Sequence, residues 1–319
     1  MISEISGDFL QWLRGFYQVA ITGSVTRAAA IMHRTPSSIT YQIQSLEQAL
    51  GNSLITRSGN RLILTSAGRE LLKWAIRTFD VVSALQGELA CTDGVLRGVL
   101  SVAGMRPVFQ MFPFLNTLRD FLQTYPKVRV ELFPGDPDKL IRDLEMGMYD
   151  FAVLGVLSPP STCVFQSFFT SPHMLIVARE HDFVLDDEPT REQLAEVPYI
   201  EFVRPHLDKD DAPRVFFPDV EMLFPKRANL RCSNRQTIME YVAAGCGAAV
   251  VDVWSLLSTP QAISRVQAYS LEHYLPQLQY GLLMRKTTEL TPPGKEFVRR
   301  LEHNMKNLEL CSDSKNMIK

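Results

Sequence analysis

Apolar residues recur at helical spacing near the start of the chain. Phe9, Leu13, Phe16 and Ala20 step by four, three and four, and Ile39, Ile43, Leu46 and Leu50 repeat the steps. At about 100° per residue each set forms one stripe. Ser37, Tyr41, Gln44 and Gln48 fall opposite the second stripe. That face is polar but almost uncharged, whereas a merely solvated face carries Lys and Glu. Between the stripes, Gly23-Ser24 predicts a turn with an N-cap, and Ala28-Ala29 a short helix that packs closely. Thr35 then Pro36 start the third helix, since proline's missing N–H costs nothing at the first position; Leu50-Gly51 ends it. Arg57 and Arg61 flank Ser58-Gly59-Asn60, the tip of a hairpin that runs back to Leu64-Thr65. This is the outline of a winged helix-turn-helix, built to place its third helix in a DNA major groove. Taken alone, the pattern also fits a generic helical bundle.

The pattern then lengthens. Thr65 caps a helix from about Ser66 to Ala90, on which Leu72, Ala75, Phe79, Val82, Leu85 and Leu89 make a near-heptad stripe. A stripe on a helix between two domains predicts pairing with a second copy; the alternative is packing on the chain's own body. Thr92-Asp93-Gly94 reads as a hinge. Beyond it strands and helices alternate. Strands are expected at Gly98–Gly104, Val128–Phe133, Phe151–Leu154, His173–Ala178, Tyr199–Val203 and Ala248–Val251. Helices are expected through Phe112–Leu122, through Leu140, Leu144 and Met148, over Thr237–Ala244, and from Pro292-Pro293 through Met305. Such alternation implies a mostly parallel sheet with helices on both faces. Residues 311–319 read as a polar tail.

Charge changes the weighting. Between Arg14 and Arg77 there are eight basic residues (Arg14, Arg27, Arg34, Arg57, Arg61, Arg69, Lys73, Arg77) against Glu47 and Glu70, a balance of +6 within a chain of net −2. A basic head on an acidic body is the electrostatic footprint of DNA binding. The 319 residues suit a small head and a larger body, and 46% apolar content is ordinary for a globular protein. No run reaches the roughly 18 apolar residues of a membrane span; Tyr241–Leu257 is short and broken by Asp252. No signal peptide is evident, so a cytoplasmic protein with no membrane partner is expected. Five cysteines (Cys91, Cys163, Cys232, Cys246, Cys311) form no CxxC pair, and with six histidines give no metal-site spacing. GxSxG, HExxH, Walker A and GxGxxG sequences are absent, so neither catalytic residues nor a metal or bound cofactor are expected. His181-Asp182, and His206 among Asp208, Asp210 and Asp211, read as solvated loops.

Phe16, Val19-Ala20, Gly23-Ser24, Ala28-Ala29, His33, Gln42-Ile43, Leu46-Glu47, Leu50-Gly51, Leu54, Arg57, Leu64-Thr65 and Ala67-Gly68 form a gap-free pattern of about fifty residues that resembles the N-terminus of LysR-type transcriptional regulators. The family's usual Gln-Pro-Ala-Leu-Ser-Arg segment reads Pro36-Ser37-Ser38-Ile39-Thr40-Tyr41, so Tyr41 replaces a common Arg and its bidentate guanine contact. The body resembles the family's effector domain through Pro113, Phe121, Tyr125-Pro126, Gly135-Asp136, Leu140, Gly147, Asp150, Ala152, Val242–Gly245 and Gly247-Ala248.

The resemblance implies an α+β chain: a winged helix-turn-helix over residues 1–65, a linker and dimerisation helix over 66–91, and a regulatory domain over 92–310. That domain would have two α/β lobes like periplasmic binding proteins, one of about 95–168 plus 268–310 and the other about 169–267. Its implied partners are double-stranded DNA, a small-molecule effector, RNA polymerase and further copies in a homodimer or homotetramer. Arg34, Thr35, Pro36, Ser37, Ser38, Thr40, Tyr41, Gln44, Arg57 and Arg61 are the expected DNA contacts. Ligands sit beyond the carboxyl ends of strands in open α/β lobes, which singles out Gly104, Met105, Arg106, Gly135, Asp136, Phe202, Arg204, Asn234 and Arg235. Arg106, Arg204 and Arg235 together suit a carboxylate or phosphate. The alternatives are a redox sensor using Cys232 and Cys246, and a small-molecule binding protein whose helical head serves only oligomerisation.

Overall fold

Local signals set the first elements. α1 (Phe9–Thr22) stops at Gly23, whose φ of 62° suits glycine. Ser24 Oγ accepts from Arg27 N at 3.3 Å to start α2 (Val25–Ile31). Thr35 Oγ1 accepts from Ser38 N at 3.2 Å, and α3 (Pro36–Leu50) runs to Gly51. His33, in the turn between α2 and α3, adopts φ 51°, a left-handed conformation unusual for a side-chain-bearing residue. β1 (Ile55–Ser58) and β2 (Arg61–Leu64) pair antiparallel. α4 (Ser66–Ala90) begins where Thr65 Oγ1 accepts from Gly68 N at 3.0 Å and donates to Ser53 O at 2.7 Å. A Cβ on Gly68 would lie 2.1 Å from Leu54 O, so α4 approaches the wing closely only with glycine there. Val19, Ala28, Ala29, Ile39 and Ile43 form the core of these helices.

This structure, a computed structural model, describes residues 8–58, 61–91, 95–203, 220, 222–287 and 289–309. It divides into two compact units, one reaching to Ala90 and including Thr287–Thr291, the other covering the rest from Cys91.

In the second unit the chain forms β3 (Gly98–Gly104), α5 (Arg106–Gln110), α6 (Phe112–Thr124), β4 (Val128–Pro134), α7 (Pro137–Glu145), β5 (Phe151–Val156) and β6 (Cys163–Ser171). After Pro172 it enters β7 (His173–Ala178), α8 (Arg191–Ala195), β8 (Tyr199–Phe202), β9 (Arg227–Cys232), α9 (Arg235–Ala243), β10 (Ala249–Asp252), α10 (Val253–Leu257), α11 (Pro260–Ile263) and β11 (Val266–Ser270). It ends with β12 (Leu278–Arg285) and α12 (Pro292–Glu309). The first lobe is a sheet ordered β4-β3-β5-β12-β6, against which Phe114, Phe121, Phe151 and Phe297 cluster. The second lobe holds β10-β7-β11 and the pair β8-β9, bridged from Tyr199 to Ala248. The whole is the α+β arrangement expected, with a winged head, a long helix and a two-lobed body.

Several expectations are corrected. The first sheet is mixed: β3 runs parallel to β4 and β5, but β12 is antiparallel to β5 and β6. β12 returns from the other lobe without a crossover helix, which a parallel placement would require. In the second lobe β7 has two antiparallel neighbours. The chain crosses between lobes after Ser171 and before Leu278, so β11 stays wholly with the second lobe instead of dividing at 268. α7 stops at Glu145; Met148 lies beyond Gly147, at φ 76°, and is exposed. Leu50 is 37% exposed and Gln42 is buried at 3%, so the core stripe of α3 ends at Leu46 and admits one amide. Thr92-Asp93-Gly94, Gly59-Asn60, Arg204, the His206 loop and the 311–319 tail lie outside the described residues. No helix of the described residues is long and apolar enough to cross a membrane.

Candidate nucleic-acid interface and ligand cleft

α3 presents Pro36, Ser37, Thr40, Tyr41 and Gln44 to solvent, with Thr35 and Arg34 exposed just before it and Ser38 half-buried. Their hydrogen bonds sort them. Ser37 Oγ and Thr35 Oγ1 are 3.0 Å apart, and Thr40 Oγ1 donates to Pro36 O at 3.0 Å. Tyr41 is 65% exposed. Glu47 is tied elsewhere: its Oε1 accepts from Leu54 N at 2.7 Å, Ile55 N at 3.3 Å and Ser53 Oγ at 3.3 Å. One carboxylate from α3 thus fixes the first residues of the wing. Arg57 is exposed on β1 opposite Leu62, and Arg61 opens β2. Periodicity does not reveal this tie; the signal in the sequence is an acid set among the eight basic residues of the head.

The long-helix stripe divides. Leu72 and Ala75 are buried and Phe79 packs on Tyr17 at 5.3 Å between ring centroids, because the first half of α4 lies on α1. Leu72 and Ala75 are thus covered within the head, and Phe79 and Val82 are half-buried. Leu85 and Leu89 are exposed, as are Trp74 and Val81, which the heptad reading had left out.

Between the lobes of the second unit lies a cleft of about 240 Å³. One wall is Met105, Arg106 and Gln110 of the β3–α5 corner with Gly135, Asp136 and Pro137 of the β4–α7 corner; the other is Phe202, Ser233, Asn234, Arg235, Gln236 and Met239, with Ser255, Ser258 and Thr259 at the α10 end. Gly104 stands behind this lining. A Cβ there would meet the Phe109 ring at 2.6 Å and Val153 O at 2.9 Å, so glycine permits the turn into α5. Met105 Sδ accepts from Gly155 N at 3.3 Å. The starts of α7 and α9 meet the cleft from opposite walls. Asp136 caps the first by accepting from Asp138 N at 3.1 Å, and Asn234 the second by accepting from Thr237 N at 2.9 Å. The expected residues other than Arg204 and Gly104 are therefore together. The hydroxyls of Ser255, Ser258 and Thr259 were not anticipated; Asp252, three residues before Ser255, was a readable cap signal.

Arg235 connects the cleft to the crossing between lobes. Its side chain is 18% exposed, and Nη1 lies 3.3 Å from Oδ1 of the fully buried Asp252. Asp252 also accepts from Ser255 N at 3.0 Å, Ser255 Oγ at 2.6 Å, Tyr280 Oη at 2.8 Å and Ser171 Oγ at 3.4 Å. Ser171 and Tyr280 belong to the two strands that carry the chain between lobes. Burial, and secondarily the Asp252 charge, pushes the Tyr280 phenol well above its ordinary range. His173, next along the crossing, is buried with Nδ1 2.7 Å from Pro276 O, and burial holds its pKa below 6.5. Arg106 is exposed at the cleft mouth.

Cys232 Sγ accepts from Asn234 N at 3.4 Å, Cys246 is exposed, and both are free thiols. His181 bonds Tyr269 Oη at 3.1 Å. Among the described residues no His, Cys, Asp and Glu cluster is arranged to hold a metal.

Comparison with known proteins agrees with this architecture. The model of bacterial regulatory helix-turn-helix proteins of the lysR family matches residues 10–69, and that of the LysR substrate binding domain matches residues 94–306. A RuBisCO operon transcriptional regulator of Acidithiobacillus ferrooxidans is 26% identical, over 95% of this chain and 94% of its own. A full-length OxyR variant from Pseudomonas aeruginosa superposes with TM-score 0.65 at 17% identity, covering 93% of this chain and 94% of that one. Full-length CbnR, solved with its target DNA, superposes with TM-score 0.53 at 21% identity over 93% and 99% of the two chains. These matches do not favour the redox and oligomerisation-only alternatives. A basic winged head, matched over its whole length, and a two-lobed body matched from 94 to 306 leave one assignment: the chain belongs to the LysR family, as a DNA-binding transcriptional regulator with an effector-binding domain.

Proposed function

We propose that this regulator binds its operator as a homodimer or homotetramer and responds to a small anionic effector held between its lobes. The observation that carries the effector reading is the cleft itself. Arg106 and Arg235 approach it from opposite lobes, and the starts of α7 and α9, where unpaired backbone N–H groups carry partial positive charge, meet it from both sides. Ser233 supplies a hydroxyl donor, while the hydroxyls of Ser255, Ser258 and Thr259 donate to Asp252 and to Ser255 O; Met105, Met239 and Phe202 give an apolar floor. An anion at Arg235 shares that guanidinium with Asp252, and so acts on the crossing that sets the lobe angle. A shift in lobe closure then moves the heads relative to each other, altering DNA bend and contacts with RNA polymerase. Trp74, Val81, Leu85 and Leu89 give α4 an exposed apolar row for pairing with a second copy. The protein works in the cytoplasm and needs no metal or bound cofactor.

A thermal-shift screen of carboxylates and phosphate esters on the full chain tests the effector reading, because a ligand of the folded state raises the melting point. Arg106→Ala and Arg235→Ala should each abolish the shift. Hits confined to uncharged compounds would reject an anionic effector. For the wing, Arg57→Ala should weaken binding to all DNA sequences alike and reduce the salt slope by up to about one. An unchanged slope would remove Arg57 from the interface.

A further inference from the structure

We infer that Tyr41 and Gln44 of α3 read two adjacent A·T base pairs in each half-site, and that this regulator makes no bidentate guanine contact from its recognition helix. The inference rests on α3 being the helix that enters the groove. From Pro36 to Leu50 the helix contains neither Arg nor Lys, the side chains that fork onto guanine O6 and N7. Its one ionised side chain, Glu47, is occupied by Leu54 N, Ile55 N and Ser53 Oγ. The short hydroxyls near its start are engaged locally, Ser37 with Thr35 and Thr40 with Pro36 O. Gln42 is turned inward and buried. What projects from the first three turns without such local engagement is therefore Tyr41 and Gln44, both exposed.

Their chemistry is specific. A Gln amide donates to adenine N7 and accepts from N6, a fit no other base edge offers in the major groove. A Tyr ring offers apolar edge to the thymine 5-methyl group, and its hydroxyl one further hydrogen bond. Three residues apart, the two side chains lie on neighbouring ridges separated by about 4.5 Å along the helix axis. That spacing is close to the roughly 3.4 Å base-pair rise along one strand, so they meet successive pairs. Gln48, another turn on, lies farther from the N-terminal end that contacts base edges.

The test uses the full chain and a selection from randomised duplexes, followed by titration of the selected duplex carrying base analogues. Expected are A·T pairs at two adjacent positions of each half-site. Deoxyuridine for thymidine, which deletes one methyl group, should weaken the wild type about threefold or more and leave Tyr41→Ala unaffected. Replacing adenine by 7-deazaadenine should weaken the wild type about fivefold or more and leave Gln44→Ala unaffected. Tyr41→Arg should move one selected position to G·C. Both residues are exposed, so melting points of the variants should match the wild type. Selection of G·C by the wild type at the positions that respond to Tyr41 or Gln44 would overturn the inference, as would equal analogue penalties in wild type and variants. Failure to select any common sequence would overturn it together with the placement of α3 in the groove.

Discussion

Replacing Asp252 by Ala removes the acceptor for five donors at the crossing between lobes. Ser255 Oγ and the Tyr280 phenol are almost wholly buried and reach no solvent in exchange. Each orphaned buried hydroxyl costs about 1–3 kcal/mol. Loss of the cap on α10, where Asp252 accepts from Ser255 N, adds about 1 kcal/mol. Arg235 is left as a largely buried charge without this partner. Allowing for partial relaxation, the expected destabilisation is about 4 kcal/mol, a large share of the 5–15 kcal/mol typical of a folded protein. Tyr280→Phe should cost only about 1 kcal/mol, since the ring keeps its stacking on Phe169 and Asp252 keeps its other donors. In the Asp252→Ala background the same change should cost nothing or be stabilising, because it deletes an orphan. Of the tryptophans, Trp12 and Trp74 are in the head and Trp254, against Phe169, is in the body. Urea unfolding followed by Trp254 fluorescence in a Trp12→Phe, Trp74→Phe parent therefore isolates the body. A loss below about 1 kcal/mol for Asp252→Ala, or equal Tyr280→Phe costs in both backgrounds, would refute the coupling.

Three further predictions concern single residues. Glu47→Ala should weaken operator binding severalfold and speed amide exchange at Leu54 and Ile55, because the wing loses its tie to α3; unchanged exchange would place the restraint elsewhere. His33→Gly should raise head stability by up to about 1 kcal/mol in thermal melts, since glycine meets φ 51° without the Cβ penalty; a loss of stability would mean the imidazole contributes more than the backbone costs. Burial holds the His173 pKa below 6.5 in the fold, so as pH falls through 6.5 the unfolded chain takes up the proton first. Its contribution should be complete above about pH 6.5 and decline below it, a decline that His173→Gln should reduce in urea titrations at pH 7.5 and 5.

The head is legible because its signals are local. Thr35-Pro36, Ser24, Gly23 and Gly51 act within one turn of themselves, so spacing in the sequence is spacing in space. What escaped periodicity depends on a partner distant in the chain. Leu50 keeps the period of its stripe yet is exposed. Gln42 breaks it yet is buried against α1, where a Cβ on Gly15 would lie 2.3 Å from its Oε1. The heptad on α4 was real as a spacing, but Leu72 and Ala75 serve α1 inside the head, and the exposed row instead carries Trp74 and Val81.

In the body the same division decides which residues could be found. Strand ends pointed to the cleft through Arg106, Asp136, Phe202 and Arg235, since ligand sites in α/β sheets follow strand polarity. β6 and β12 were not foreseen, because antiparallel pairing depends on the return of the chain from another lobe and not on alternation along it. Asp252 shows the limit most sharply. In the sequence it is a single charge interrupting an apolar run, and hydropathy can register only the interruption. Placed at the end of β10, it gathers donors from α9, α10, β6 and β12, residues 17 to 81 positions away apart from Ser255. A fully buried carboxylate is tolerable only where such donors converge. Within a long apolar run, an isolated acid therefore marks a meeting point of distant elements, and here that point lies between the cleft and the crossing of the lobes.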